Sequence, residues 1–460
     1  MDAARAPLIT TIAVPGAALR TLAAMQPARY PVLFDSAAEG PLARFSLLTA
    51  APRAALWRDA DGNLGASGLT ITHRGFLDEL EAWTRREHQE PSDERVLPFV
   101  DGWIVYLGYE VAAEIERRLN LPRAALPLSA FALRVDTLAI HDIVSDRIYV
   151  VSPAGDVAAQ RRLVEDLLAA AAPGAGEEPR QLLLSKLEEE APRHFIERVL
   201  AAQEHIAAGD IYQANLSRPW RLTLSDPADE AHVYTALRAA NPAPFAASVR
   251  FRDMTILSSS PERLLAITGR EISTRPIAGT RARLGSAEQD ARETSELVAH
   301  PKERAEHVML IDLERNDLGR VCEAGSVEVD EYMVTESYAH VHHIVSNVRG
   351  RLRADASAVA ALRALFPGGT ITGCPKVRCM QVIAALEGEG RGAYTGSLGW
   401  LGTDGDADFN ILIRTLSVNG SHIELRAGAG IVADSIPERE LEETRAKARG
   451  MLRAFEAPYV

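Results

Sequence analysis

"FNILIRTLSVNGSHIELRAGAG", residues 409–430, sets two runs of apolar and β-branched side chains on either side of Asn419-Gly420. Asn-Gly tolerates the positive φ of a tight turn, so the stretch reads as strand, hairpin, strand. Outward from it, "FAASVRF" (245–251), "TILSSSP" (255–261) and "AYTGSLGWLG" (393–402) read as further strands. "PRHFIERVLAAQEHIAAGD" (192–210) places Phe195, Val199, Ala202 and Ile206 on one helical face and stops at Gly209. Long strands with hairpin turns between well-formed helices predict an α+β fold with large mixed or antiparallel sheets. Before residue 170 the pattern is similar, with strands at "GWIVYLGYE" (102–110) and "DRIYVVSP" (146–153) and helices at "RGFLDELEAWTRREHQE" (74–90) and "DVAAQRRLVEDLLAAA" (156–171). Pro, Gly and acidic residues in "AAPGAGEEPR" break that last helix. The reading therefore takes 1–170 as an N-terminal subdomain interwoven with the core, 171–180 as a linker and 181–460 as the catalytic domain.

With 460 residues, 47% of them apolar, the chain can bury a sizeable core. Its longest apolar runs, such as "LLAAAAP" (167–173), fall far short of the ~20 residues a membrane helix needs. "MDAARAPLITTIAVPG" (1–16) lacks the basic start and apolar stretch of a signal peptide, so a cytoplasmic location is expected. The net charge of −13 and the lack of a basic cluster argue against nucleic acid. Cys322, Cys374 and Cys379 make no disulfide framework and no zinc pair, and are expected to be buried thiols. Of 50 basic residues only Lys186, Lys302, Lys376 and Lys447 are lysine; three of them fall inside the motifs below, a hint that an ammonium is wanted there.

Two glycine-rich segments imitate ligand loops. "GGTITGCPK" (368–376) has Cys374 and Pro375 where a phosphate loop needs Lys and Ser or Thr. "DGDAD" (404–408) lacks the glycine and closing glutamate of a calcium loop and is expected to be a solvated turn. Two helices carry acidic faces. In "HPKERAEHVMLIDLERND" (300–317) Glu303 and Glu306 lie about 60° apart on the helical wheel. In "DSIPERELEETRAKARGMLRAFE" (434–456) Ser435 and Glu438 suggest a capping box, Glu440, Glu443 and Lys447 share one face, and Leu441, Ala448, Met451, Leu452 and Phe455 share the other. Each acidic face alone reads as solvated surface. Together, four convergent carboxylates would call for a hard divalent cation such as Mg²⁺.

"RPIAGTRAR", "HPKERAEHVMLIDLERNDLGRV", "HVHHIVSNVRG", "FPGGTITGCPKVRCMQVI", "YTGSLGW", "NILIRTL" and "AGAGIVADSIPERELEET" together resemble the chorismate-utilising enzymes over about 190–460. "DGWIVYLGYE" and "LFDSAAEGPLARFSLL" carry a weaker likeness in the front half. The resemblance implies an anthranilate synthase component I-like fold, two large packed sheets flanked by helices, and Mg²⁺-dependent replacement on the chorismate ring. It implies that Glu303, Glu306, Glu440 and Glu443 hold the metal. Thr370, Tyr394, Arg414, Lys447 and the amides of Gly428 and Gly430 would take the substrate's carboxylates. Glu262 would be the general acid for the departing ring hydroxyl, His343 would sit against that hydroxyl, and Gly279 and Thr280 would line the floor. Ser36, Arg44 and Phe245 match the family's tryptophan-holding segment.

Gln213 in "DIYQANLS" resembles the ammonia-using members, since the water-adding ones carry lysine there. Within the ammonia users the likeness divides. Ala278 matches anthranilate synthase component I, where aminodeoxychorismate synthases usually carry a lysine that attacks the ring. "NPAPFAASV", Asn215, His342, the Gly369, Ile371 and Thr372 of "FPGGTITG", and Asp35 in "LFDS" resemble aminodeoxychorismate synthase component I instead. Scattered packing differences outweigh one exchangeable side chain, so the expected activity is amination of chorismate to 4-amino-4-deoxychorismate, toward p-aminobenzoate and folate, with anthranilate formation as the alternative. No cysteine lies on a glutaminase-like sequence, so a separate class I glutamine amidotransferase subunit is the expected ammonia source.

Overall fold

The computed structural model describes residues 6–38, 40, 42–91, 97–176, 181–227, 230–282, 286, 289–290, 295, 301–337 and 341–456, and the backbone alone for 280–282, 301–303, 337, 341 and 342. Its strands form two large sheets, and every pair among them is antiparallel. With helices packed on the outer faces, this is the α+β architecture expected from the sequence.

In the first sheet, Leu8–Ile12, Arg147–Ser152, Leu138–Asp142, Phe45–Thr49 and Val32–Asp35 run in order into Phe245–Phe251, Met254–Ser260, Thr415–Asn419, His422–Ile431, Gln213–Leu224 and Leu184–Glu189. In the second, Ile277–Ala282, Val341–Arg351, Glu271–Thr274, Arg263–Thr268, Ala407–Ile411 and Ser397–Gly402 continue into Gly102–Leu107, Leu128–Val135, Ala54–Asp59 and Leu64–Ser67. Strands from before and after 171–180 thus share both sheets, hydrogen-bonded where Ala246 meets Asp35 and where Leu398 meets Tyr106.

The inner faces meet in a core where Ile104, Phe131 and Leu133 of the second sheet pack with Val32, Ile140, Val249 and Ile256 of the first. Each large apolar side chain buried there contributes about 1.5–3 kcal/mol. The helices Ala17–Met25, Val157–Ala170, Glu230–Ala240 and Pro437–Leu452 cover the first sheet; Phe76–Arg86 and Ala358–Leu365 cover the second. No helix of the described residues is long and apolar enough to cross a membrane.

The stretch 409–430 departs from its reading. Its second half is the expected hairpin, Val418 opposite Ile423 and Gly420 at φ 59°. Its first half is not one strand: Ala407–Ile411 belongs to the second sheet and Thr415–Asn419 to the first. The chain changes sheets over residues 412–414, with Arg414 at φ 51°, a strained conformation for a side chain of that size. A run of mostly apolar and β-branched residues cannot reveal such a switch, because both segments are largely buried.

Four smaller readings are corrected. Ser435 makes no capping box: the N-cap is Ile436, Pro437 opens the helix, and Ser435 Oγ instead accepts from the Val432 amide at 3.1 Å. Residues 404–408 are not a solvated turn, since Asp406 is buried, accepts from the Gly269 amide at 2.6 Å, and leads into a strand. "AYTG" (393–396) is a turn before the strand Ser397–Gly402, with Thr395 at φ 61°. Cys322 and Cys379 are buried thiols, whereas Cys374 is half-exposed.

Candidate active site

Two chain segments pass between the sheets side by side. Residues 260–263 leave the first sheet for the second, and 411–415 return. They are stitched together: the Ile411 amide donates to the Glu262 carbonyl at 3.0 Å, and Ser260 Oγ donates to the Ile411 carbonyl at 2.5 Å. This crossing delivers Glu262 and Arg414 to one place. Glu262 is 4% exposed, and burial lifts its carboxyl to about 7 against the pull of Thr370, the Ile277 amide, Lys447 and Arg414. Burial lowers the Arg414 guanidinium while Glu262 opposes that shift.

Beside this crossing, Gln213–Leu224 and His422–Ile431 pair with Asn215 opposite Gly430 and Ser217 opposite Gly428. Two glycines keep the surface open. A Cβ on Gly428 would lie 2.6 Å from Tyr394 Oη, 2.6 Å from the Leu216 carbonyl oxygen and 2.8 Å from Asn215 Oδ1. One on Gly430 would lie 2.4 Å from Gln213 Nε2 and 3.6 Å from Glu306 Oε1. Gln213 Nε2 donates to Glu306 Oε1 at 3.0 Å. Lys447 Nζ donates to the Gly428 carbonyl at 2.9 Å and pairs with Glu443 at 2.7 Å. Glu306 and Glu443, from two distant helices, thereby reach the same end of one strand. Glu440 lies one turn before Glu443, and the Glu303 side chain is outside the described residues. Among the described residues no three His, Cys, Asp or Glu side chains gather as a metal-ligand set.

Several buried polar atoms here make no hydrogen bond among the described residues: Gln213 Oε1, Asn215 Oδ1, Glu262 Oε1 and Thr370 Oγ1. Each such atom costs about 1–3 kcal/mol, so four around one cradle mark a place built for a polar ligand. Burial pushes the Tyr394 phenol up to about 12, keeping it a neutral hydrogen-bond donor. His343 is buried on Val341–Arg351, opposite Thr280. Gly279 sits at φ 62° in a bulge between Ala278 and Thr280, a conformation suited to glycine. Ala278 is buried opposite Ile344. The Thr280 side chain is outside the described residues.

The front-half segment around Ser36 follows Val32–Asp35, whose last residue pairs with Ala246, next to the Phe245 that lies opposite Ser260. Ser36 Oγ donates to the Phe45 carbonyl at 2.8 Å, and Arg44 stacks 4.6 Å over the Phe45 ring. Phe245 lies under Arg263 and begins the strand whose next residue, Ala246, pairs with Asp35. Asp35 itself turns inward to Arg238 at 2.6 Å and the Tyr234 hydroxyl at 3.1 Å.

Sequence reasoning passed over the buried support beneath the cradle. Glu387 accepts from the Ser217 amide at 2.7 Å and from Arg391 Nη2 at 2.6 Å, and Arg426 reaches it at 3.4 Å. Arg391 in turn donates to the Asn215 carbonyl at 2.6 Å and stacks on Tyr109 and Tyr394. Glu110 holds the turn before Tyr394 by accepting the amides of Arg391 and Gly392. The i, i+4 spacing of Glu387 and Arg391 was the one available signal, and it is indistinguishable from a surface pair.

Comparison with known proteins gives a consistent result. A family model described as chorismate binding enzyme matches residues 36–453. Anthranilate synthase component 1 of Streptomyces coelicolor is 44% identical over 382 residues, 78% of this chain and 73% of the relative. Aminodeoxychorismate synthase component 1 of Bacillus subtilis is 37% identical over 452 residues, 94% and 93% of the two chains. The crystal structure of anthranilate synthase component I from Streptococcus pneumoniae TIGR4 superposes with a TM-score of 0.79 at 32% identity, covering 90% of this chain and 93% of that one.

Proposed function

Since the chain belongs to the chorismate binding enzymes, we propose that it aminates chorismate to 4-amino-4-deoxychorismate with ammonia from a separate glutamine amidotransferase subunit. The observation that supports chemistry on chorismate is the buried, proton-holding Glu262 beside a cradle of orphaned polar atoms and cations; the choice of the 4-amino product rests on "NPAPFAASV", Asn215, His342 and "FPGGTITG". Arg414, Lys447, Tyr394, Thr370 and the amides of Gly428 and Gly430 suit a dianion. Glu306, Glu440 and Glu443, with Glu303, are the residues that would hold Mg²⁺; carboxylate oxygens suit that ion, which supplies positive charge for the ring carboxylate. Glu262 gives its proton to the departing ring hydroxyl, which leaves as water with the bonding electron pair. The small side chain at Ala278 would leave room for ammonia or another small nucleophile to add at ring carbon 2 as the carbon 4 hydroxyl departs; ammonia then adds at carbon 4, the double bonds shift back, and the first nucleophile leaves carbon 2 with its bonding electron pair. Gln213 orients the nucleophile without acting as a base, and His343 faces the ring hydroxyl. Ser36, Arg44 and Phe245 are the corresponding candidates for tryptophan.

Ala278 favours a second reading, in which ammonia at carbon 2 leads to anthranilate and pyruvate. Incubation with chorismate, Mg²⁺ and an ammonium salt, with products identified by mass and absorbance, separates the two. A 4-amino product supports the first; anthranilate as sole product overturns it.

The cradle makes its own prediction. Gly428→Ala puts a methyl 2.6 Å from Tyr394 Oη and the Leu216 carbonyl. Chorismate KM is expected to rise about tenfold or more, a binding loss of ~1.4 kcal/mol. An unchanged KM would place the substrate elsewhere.

A further inference from the structure

Lys376 is one of only four lysines among 50 basic residues, and no substrate group falls to it. It stands at the first position of the helix Lys376–Glu387, where the positive end of the helix dipole disfavours a cation. Local preference argues against it, and distant contacts hold it there. Its side chain is 13% exposed, and Nζ donates to Asp317 Oδ2, a buried carboxyl on the acidic helix Pro301–Gly319. Nζ also donates at 3.1 Å to the carbonyl of Leu365, the last residue of the helix Ala358–Leu365, where carbonyls have no partner within the helix.

These two bonds close a loop. Residues 366–375 leave the helix Ala358–Leu365 and end at Lys376, so one ammonium ties the two ends of the loop to each other and to the acidic helix. Between its ends the loop is wedged among three elements. A Cβ on Gly368 would lie 2.7 Å from Ile411 Cδ1 and 3.5 Å from Leu264 Cδ1, at the crossing that carries Glu262. One on Gly369 would collide with Leu313 Cδ2 and lie 3.2 Å from Oε1 of Glu314, a buried carboxyl to which Thr274 Oγ1 donates at 3.1 Å. The Thr372 carbonyl accepts the Asn215 amide at 2.9 Å, and Gly373 and Cys374 pair with Ala214 and Gln213 of the cradle strand. Thr370, flanked by these contacts, is the loop's contribution to the cradle, its buried hydroxyl turned to Glu262.

Resting on the reading of Thr370 as a substrate-binding residue, we propose that Lys376 is a positioning residue: its ammonium clamps the loop 366–375 onto the acidic helix and so holds Thr370 where it meets chorismate. An ammonium suits this place better than a guanidinium, being a compact group with three donors that can serve a carboxyl and a carbonyl at close quarters. Without it, Asp317 and the Leu365 carbonyl lose a buried donor, and the glycines at 368 and 369 leave the loop free to shift.

The test compares wild type, K376M, T370V and the double variant with chorismate, Mg²⁺ and ammonium salt, with urea unfolding followed alongside. K376M is expected to raise chorismate KM about fivefold to tenfold with kcat within about threefold, since Thr370 binds ground state and transition state alike. A merely structural loss lowers the folded fraction, and so kcat, but leaves KM unchanged. T370V is expected to raise KM by a similar factor, and adding K376M to it should raise KM by less than about twofold more, because the lysine acts through the threonine. D317N weakens the tether from its other end, raises KM in the same direction, and serves if K376M fails to fold. An unchanged KM in folded K376M, or in D317N where K376M does not fold, overturns the role of Lys376 alone, as does full additivity in the double variant. An unchanged KM in T370V overturns the reading of Thr370, and this proposal with it.

Discussion

Glu262→Gln is expected to lower kcat by about 10²- to 10⁴-fold while leaving chorismate KM within about threefold, the usual worth of a general acid. Glutamine keeps the volume and the hydrogen-bonding reach of the side chain but has no proton that it can surrender. The buried position explains why an ordinary carboxyl can serve here. Burial lifts it to about 7, so it is protonated through the acidic range and into neutrality. The acid form is the active one, and wild-type kcat/KM should therefore be level below about pH 7 and fall about tenfold per unit above it. The same shift bears on stability. A folded-state value above the ordinary 4.5 means that the folded chain holds this proton where the unfolded chain has lost it. The group's contribution is present in full below about 4.5 and declines as pH rises toward 7. Turnover in E262Q within about tenfold of wild type would remove Glu262 from the chemistry.

Glu387→Ala should be the most destabilising single change near the site, costing about 3–5 kcal/mol in urea unfolding followed by tryptophan fluorescence. Glu387 stands between two guanidiniums that are almost fully buried, Arg391 and Arg426. Burial works against its charge, yet the two arginines outweigh it and hold the carboxyl below the ordinary range. Without it, two buried cations face each other, and the Ser217 amide loses its acceptor. Function should suffer as well, because Arg391 stacks on Tyr394 and binds the Asn215 carbonyl, both of which line the cradle. A cost below about 1 kcal/mol would mean that water reaches the pair and screens it.

The elements themselves were legible in the residues. The face of Phe195, Val199 and Ala202 and the stop at Gly209, which adopts φ 79°, are properties of a few adjacent side chains. The hairpin at Asn419-Gly420 needs only its own dihedral preferences. The α+β class, antiparallel sheets and membership of the chorismate binding family follow from such local patterns and from long motifs in unbroken order. Other features were decided by contacts between residues far apart in the chain. Arg414 looks like one polar residue within a strand until two sheets claim the segments on either side of it. Ser435 matches a capping box locally, yet its hydroxyl goes to Val432 and Gln203 Nε2 takes its carbonyl at 2.8 Å. Glu314 sits among surface-like charges in sequence and becomes buried only where its helix meets Thr274 and Gly369. Dihedral preference and side-chain periodicity act over a few residues and can be read from the chain itself. Burial, desolvation and the meeting of charges depend on which distant segments fold against one another, and only the tertiary structure sets that.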